Sequence, residues 1–221
     1  MSFNLDLNNY WTSFHLNNKI NLRIQNLNTI ILRGNVMNKV LILYGTRYGT
    51  TKGISDEIEK VVKDNGILTE SYNLTEINHK KIPNLDQYNG IIIGTGIKMG
   101  MWTKVVKNFF QKRKDELKQK QEALAFYICC GTAQNDIKKA IEKYIIPKLE
   151  KYGIQSALFD AFAGAYDLRE GSAVKGMTRK IVIGIMKDEQ GVENPDGELY
   201  DYRDWDQIRD FANKFVEIVK K

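Results

Sequence analysis

Two apolar patterns alternate along the chain. Unbroken apolar runs, KVLILYG (39–45), GIIIGTG (90–96) and ALAFYICCG (123–131), predict strands covered on both faces. ILTESYNL (67–74) alternates as a half-covered strand does, and SALFDAFAGA (156–165) reads as a further strand. Between them the spacing turns helical. Thr50–Asn65 carries Ile54, Ile58, Val61 and Val62 on one side and stops at Gly66. Trp102–Lys120 gathers Trp102, Val105, Val106, Phe109 and Phe110, and Asp136–Tyr152 is a third helix. Val174–Lys187 is a basic, apolar-rich helix, and Trp205–Lys220 closes the chain as an amphipathic one. Strand–helix alternation with right-handed crossovers predicts an α/β fold with a doubly wound parallel sheet. In such sheets ligands bind beyond the carboxyl ends of the strands, where the strand order reverses.

The first 36 residues break this pattern. They are about a quarter Asn, lack Ala and Glu, and hold no period. The expectation is a poorly ordered or loosely docked extension over 1–36, with the folded domain spanning 37–221 and beginning at Met37. A small docking strand around Thr29–Leu32 is the alternative.

Composition narrows the class. A chain of 221 residues supports one good-sized domain. No apolar run approaches the roughly 18 residues of a membrane span, and the start lacks the layout of a secretory signal. The two cysteines, Cys129 and Cys130, are adjacent in an apolar run, which fits small core residues and a reducing, cytoplasmic compartment. His15 and His79 lie far apart, so no metal site is expected. The net charge of +6 suits nucleic acid, anionic lipid or an anionic substrate, and a solvated Lys-rich surface accounts for it equally. Lys107, Lys112, Arg113 and Lys114 come without a base-stacking platform, so they read as a solvated face rather than a nucleic-acid site.

Three strand ends carry the candidate chemistry. The loop Thr46-Arg47-Tyr48-Gly49-Thr50-Thr51 leaves the first strand and enters a helix, where open N–H groups and the positive dipole end attract an anion. It lacks both the GxxxxGK[ST] and the GxGxxG spacing. A helix capped by Thr50 or Thr51, with no ligand, is the other reading. The second loop, GTGIKMGMWT (94–103), mixes glycines with Lys98, Met99, Met101 and Trp102, which lets a flat ring approach backbone under apolar cover; Trp102 also fits the core. The third, CCGTAQND (129–136), is again small and polar. Together they suit one phosphate and one planar heterocycle.

At these residues the sequence resembles the flavodoxin-like family, whose phosphate signature is roughly [ST]-x-[ST]-G-x-[ST]. Thr46, Gly49 and Thr51 match, and Tyr48 departs at the central hydroxyl position. LYGTRYGTTKGIS, IIIGTGIKMGMWTKVVKNFFQKR, FAGAYDL and DYRDWDQIRDFANKF are similar, more narrowly, to menaquinone-dependent protoporphyrinogen dehydrogenases and related flavodoxin-domain proteins, over about 38–220. The resemblance implies a five-stranded sheet of order 2-1-3-4-5 and noncovalent FMN. It implies the phosphate at Thr46, Arg47, Tyr48, Gly49, Thr50 and Thr51, and the isoalloxazine near Thr95, Gly96, Ile97, Lys98 and Met99 and near Cys130, Gly131 and Thr132. It further implies an FMN-dependent oxidoreductase, protoporphyrinogen IX dehydrogenase-like with a quinone acceptor, or a flavodoxin-type electron carrier serving a protein redox partner. No catalytic residue is singled out. Lys98 is the candidate for redox tuning, since a cation about 4 Å from the ring at an effective dielectric near 20 interacts by about 4 kcal/mol before desolvation; a solvated Lys98 is the alternative. The insert Ala173–Gly191, with its helix over 174–187, either packs on the sheet or presents an apolar, basic face to the inner surface of a membrane or to a large apolar ligand.

Overall fold

The computed structural model describes residues 38–188 and 190–221. The expectations for the leader, its poor order, its start at Met37 and the strand near Thr29, lie outside the described residues.

Five parallel strands form the sheet: β1 (Lys39–Gly45), β2 (Leu68–Asn73), β3 (Gly90–Gly96), β4 (Leu124–Cys129) and β5 (Leu158–Phe162), in the order β2-β1-β3-β4-β5. The expected order is therefore the observed one. The chain crosses from β2 past β1 to β3, so strand order reverses between β1 and β3 and a crevice opens beyond their carboxyl ends.

Strand alternation sends β1 side chains into two cores. Leu41 and Leu43 join Trp102, Val106, Phe110 and Phe126 on one face, under α2 (Lys104–Lys112), α3 (Lys114–Gln119), α5 (Ile137–Tyr144) and α6 (Ile146–Tyr152). Val40 and Ile42 join the other face under α1 (Thr50–Asp64) and α8 (Trp205–Lys220), whose Phe211 and Phe215 are buried. Between β4 and α5 lies the single turn α4 (Thr132–Asn135).

The structure corrects the predicted elements in four places. Trp102–Lys120 is two helices, broken at Arg113, whose guanidinium donates to the carbonyls of Ile82 (3.3 Å) and Pro83 (2.9 Å) and pairs with Glu116. Asp136–Tyr152 divides as well: Pro147 falls in the first turn of α6, where a missing N–H is tolerated and where it ends α5. The strand predicted over 156–165 ends at Phe162, and Ala165 belongs to β6 (Ala165–Asp167), which pairs antiparallel with β7 (Leu199–Asp201) as a separate ribbon. Finally, the helix predicted over 174–187 forms as α7 (Gly176–Asp188) but does not cover the sheet. Its Val182 and Met186 form a third, small core with Leu168 and Val174, edged by Tyr48, Tyr166, Tyr200 and Tyr202. Among the described residues no helix is long and apolar enough to cross a membrane.

Candidate functional site

The three loops named from sequence meet at the crevice, and the ribbon and α7 close it from the side. Thr46 Oγ1 accepts a hydrogen bond from the Gly49 N–H (3.0 Å), curling the first loop on itself. Gly49 sits at φ +90°, a left-handed conformation that a side chain would strain. It is the N-cap of α1, and it supplies no side-chain bond to the helix start. Thr50 and Thr51 are not caps. Thr50 Oγ1 donates to the Ala165 carbonyl (3.2 Å), and Thr51 is buried within the helix. The α1 terminus thus has no side-chain cap and no acidic residue in its first turn. Such an end favours an anion.

Arg47 lines the cavity and also ties two loops together. Its guanidinium donates to the carbonyls of Gly96 (2.8 Å), Trp102 (3.1 Å) and, at 3.5 Å, Met101. One side chain of the phosphate loop thereby fastens the ring loop at both ends. Desolvation of the head pushes its pKa down.

The ring loop is a tight turn. Lys98 N–H donates to the Met101 carbonyl (3.1 Å), and Met101 N–H returns the bond (3.0 Å). The two residues between, Met99 (φ +50°) and Gly100 (φ +72°), are both left-handed, as the two-residue hairpin turn requires. Met99 is the one non-glycine among the described residues held there, and 83% of it is exposed. That geometry costs about 1 kcal/mol in a residue with a Cβ, and such strain gathers at functional sites. Thr95 faces the other way. It is fully buried, and its hydroxyl accepts the Thr103 N–H (3.0 Å) ahead of α2. Trp102 is core rather than ring cover: its indole lies 4.5 Å from Phe126 and 5.2 Å from Phe110, and Nε1 donates to the Tyr144 carbonyl (2.7 Å).

Lys98 is part-buried and paired within the site. Its ammonium donates to Tyr48 Oη (2.6 Å) and to Thr178 Oγ1 of α7 (2.9 Å), while Tyr48 Oη lies 3.2 Å from Thr178 Oγ1. The Lys98 bond, aided by Thr178, holds the Tyr48 phenol below its ordinary pKa. The tyrosine that departs from the hydroxyl pattern of the first loop therefore works as a clasp, joining phosphate loop, ring loop and α7.

Under the clasp lies a cavity of about 400 Å³. Thr46, Arg47, Tyr48, Thr50 and Thr51 line one end, Gly96 to Met99 and Cys129 to Gly131 the floor, and Val174, Ile181, Val182 and Ile185 the far wall. A second cavity of about 460 Å³ adjoins it, sharing Ile97, Met99, Cys130, Gly131, Tyr166 and Ile185 and extending to Thr132, Asn135 and Asp136. Of the predicted site residues, Gly49 and Thr95 line neither cavity. Sequence reasoning missed Gly164, Ala165 and Tyr166, whose one signal was the FAGAYDL stretch after β5; the α7 wall had been offered only as an apolar face for a large ligand or a membrane. A Cβ added at Gly131 would come within 2.6 Å of Tyr166 Oη, so the Tyr166 side chain would have to shift. Both cysteines are buried. Burial pushes the Cys129 thiol up to about 12, with Cys130 beside it adding to the effect, and burial raises Cys130 too.

An anion-seeking end, a glycine-lined floor and an apolar wall, set at the switch point of a 2-1-3-4-5 sheet, are features of an α/β ligand-binding protein. Comparison with known proteins gives the class its family. Residues 41–196 match the flavodoxin domain model, and the chain belongs to that family. The fold of this family implies flavin binding. The chain is 24% identical over 188 residues to the protoporphyrinogen IX dehydrogenase [quinone] of Escherichia coli K12, a match spanning 83% of this chain and 97% of that protein. Among solved structures it is similar to oxidised flavodoxin 1 from Bacillus cereus (TM-score 0.51, 19% identity, 81% of this chain and 98% of that one). It is also similar to rubredoxin oxygen:oxidoreductase from Desulfovibrio gigas (TM-score 0.51, 13% identity), covering 83% of this chain and 36% of that chain.

Proposed function

We propose that the chain binds FMN noncovalently and acts as an oxidoreductase of the protoporphyrinogen IX dehydrogenase kind, with a quinone as acceptor. The carrying observation is the pair of joined cavities, which run from the uncapped start of α1 to the apolar wall of α7. The phosphate falls to the N–H groups and hydroxyls of Thr46–Thr51. The ring falls to Gly96–Met99 on one side and to Cys130, Gly131 and Thr132 on the other, with Thr95 supporting the ring loop from beneath. FMN, when bound, supplies the two-electron redox chemistry. The protein supplies position, exclusion of water by Val174, Ile181, Val182 and Ile185, and the positive charge of Lys98 at the mouth, which tunes the cofactor toward its anionic reduced form. The similarity to the dehydrogenase over nearly its whole length supports the substrate class.

The test is the visible spectrum of purified protein, followed by anaerobic addition of protoporphyrinogen and then of a soluble menaquinone analogue. Bleaching by the first and recovery with the second is the expected course. A colourless protein that refuses added FMN would refute the reading. Flavin that ignores the porphyrinogen yet exchanges electrons with a redox protein would establish an electron carrier, a role that the exposed Met99 and Met101 at the cavity mouth would serve as a docking rim.

A further inference from the structure

The excess positive charge of the chain is concentrated in one layer. Residues 98–151 hold thirteen Lys and Arg against six Asp and Glu, a net +7 where the whole chain is +6. Within that layer Lys107 of α2 and Lys148 and Lys151 of α6 converge on a cleft of about 60 Å³, beside Met101 and over Trp102 and Tyr152. The floor is firm: the Trp102 and Tyr152 rings are stacked 6.3 Å apart, both buried. Among the described residues the ion pairs of these helices are Arg113–Glu116 and Lys138–Glu142, so the three amines have no carboxylate partner. Like charges held around a concave, low-dielectric floor raise the local potential and attract an anion.

The place of this cleft gives it a purpose. It lies across the Lys98–Met101 turn from the cavities: Met99 faces the cavity side and Met101 the cleft side. The ends of such a turn are less than about 7 Å apart. A flat apolar ligand over the cavity mouth would rest on two exposed methionine side chains, and a short acidic arm would cross them to the lysines.

We propose that Lys107, Lys148 and Lys151 form the carboxylate-binding subsite for the substrate, which selects apolar tetrapyrrole acids over their uncharged analogues. The substrate class rests on the oxidoreductase reading above; the choice of acid over ester rests on the cleft alone.

The experiment uses FMN-loaded full-length protein, titrated with protoporphyrin IX and with its dimethyl ester and followed by the Soret band and tryptophan fluorescence. An exposed ion pair of this kind gives roughly a two- to fivefold preference, so three give about tenfold or more. Wild type is expected to bind the diacid at least about tenfold tighter than the ester, with the ratio shrinking in high salt. Lys107→Gln/Lys148→Gln/Lys151→Gln should bring the ratio near one while FMN content and ester affinity stay unchanged. The corresponding triple arginine variant should keep the preference, which separates charge from packing. Equal binding of acid and ester by wild type, binding of neither, or an unchanged ratio in the glutamine variant would overturn the proposal. Absence of FMN binding by wild type would strike the oxidoreductase reading instead.

Discussion

Removing the Arg47 guanidinium releases the ring loop from the phosphate loop. The fork makes two bonds of ordinary length, to Gly96 and Trp102, and a marginal one to Met101. A hydrogen bond from a charged donor contributes about 1.5–3 kcal/mol when shielded. Here the residue is exposed and water can take over the freed carbonyls, so the low end applies, about 1.5–2 kcal/mol for the set. Where the turn is formed without cofactor, Arg47→Ala should lower the melting temperature by about 3–8 °C, at about 2–4 °C per kcal/mol for a domain of this size. Where the turn forms only around the cofactor, the same free energy appears as a ten- to thirtyfold weaker FMN Kd. Calorimetry and quenching of FMN fluorescence measure the two shares. Arg47→Lys decides the mechanism. A lysine keeps the charge but, as a single compact donor, cannot span two carbonyls. It should therefore lose most of what alanine loses. A lysine variant matching wild type would show that Arg47 acts as a cation near the phosphate, and an alanine variant with no change in either quantity would discard the fastening role.

Opening the clasp by Thr178→Val should speed proteolysis between residues 170 and 200 several-fold while the sheet's melting temperature holds, and unchanged cleavage would count against a clasp. Gly94→Ala places a Cβ less than 3.0 Å from the ring of Tyr127, whose Oη is fixed 2.6 Å from Ser55 Oγ, so overpacking of about 1–3 kcal/mol or more is expected in a denaturant titration. Native protein should resist iodoacetamide at pH 8, because the Cys129 and Cys130 thiols are buried and pushed up in pKa, and should take up two labels once unfolded. Asp167, held down to about 2 mainly by its Arg169 bond, and Asp201, lowered by Arg203, stand at the ends of the ribbon. Each carboxyl lies below its unfolded value, so its contribution is complete above about pH 4 and fades as pH falls toward 2. The Asp167–Arg169 pair is the more exposed and contributes little, while the part-buried Asp201–Arg203 pair contributes more. Protection factors in β6 and β7, taken relative to the intrinsic exchange rate at each pH, should fall over that window and ahead of those of the sheet.

The sheet was legible because its central strands are covered on both faces, which forces the unbroken apolar runs of β1, β3 and β4. The first loop was legible for a similar reason: an open helix start beyond a buried strand has few chemical uses. The rest depended on contacts distant in sequence. Arg113 breaks a helical pattern by reaching back to Ile82 and Pro83, which no local period records. The strands β6 and β7 have three residues each, too few for an alternation to register. The apolar content of α7 was plain, but a periodic stripe does not say which surface it covers. Nor does it say that Lys98 turns from the loop toward a tyrosine and a threonine. The pattern departure at Tyr48 was visible in sequence; its bond to Thr178, 130 residues away, was not.

The small core beneath α7 has consequences for how a cofactor enters and leaves. Leu168, Val174, Val182 and Met186 are sealed against one another and a ring of tyrosines, apart from the two cores that hold the sheet. A unit with its own modest apolar seal, tied down by a few polar bonds, has its own opening free energy, well below that of the whole domain. By that reasoning this unit should open before the sheet unfolds. A flavin held as proposed would then exchange at the rate at which this unit opens, a rate that the Thr178 and Lys98 bonds should limit more than the strands do.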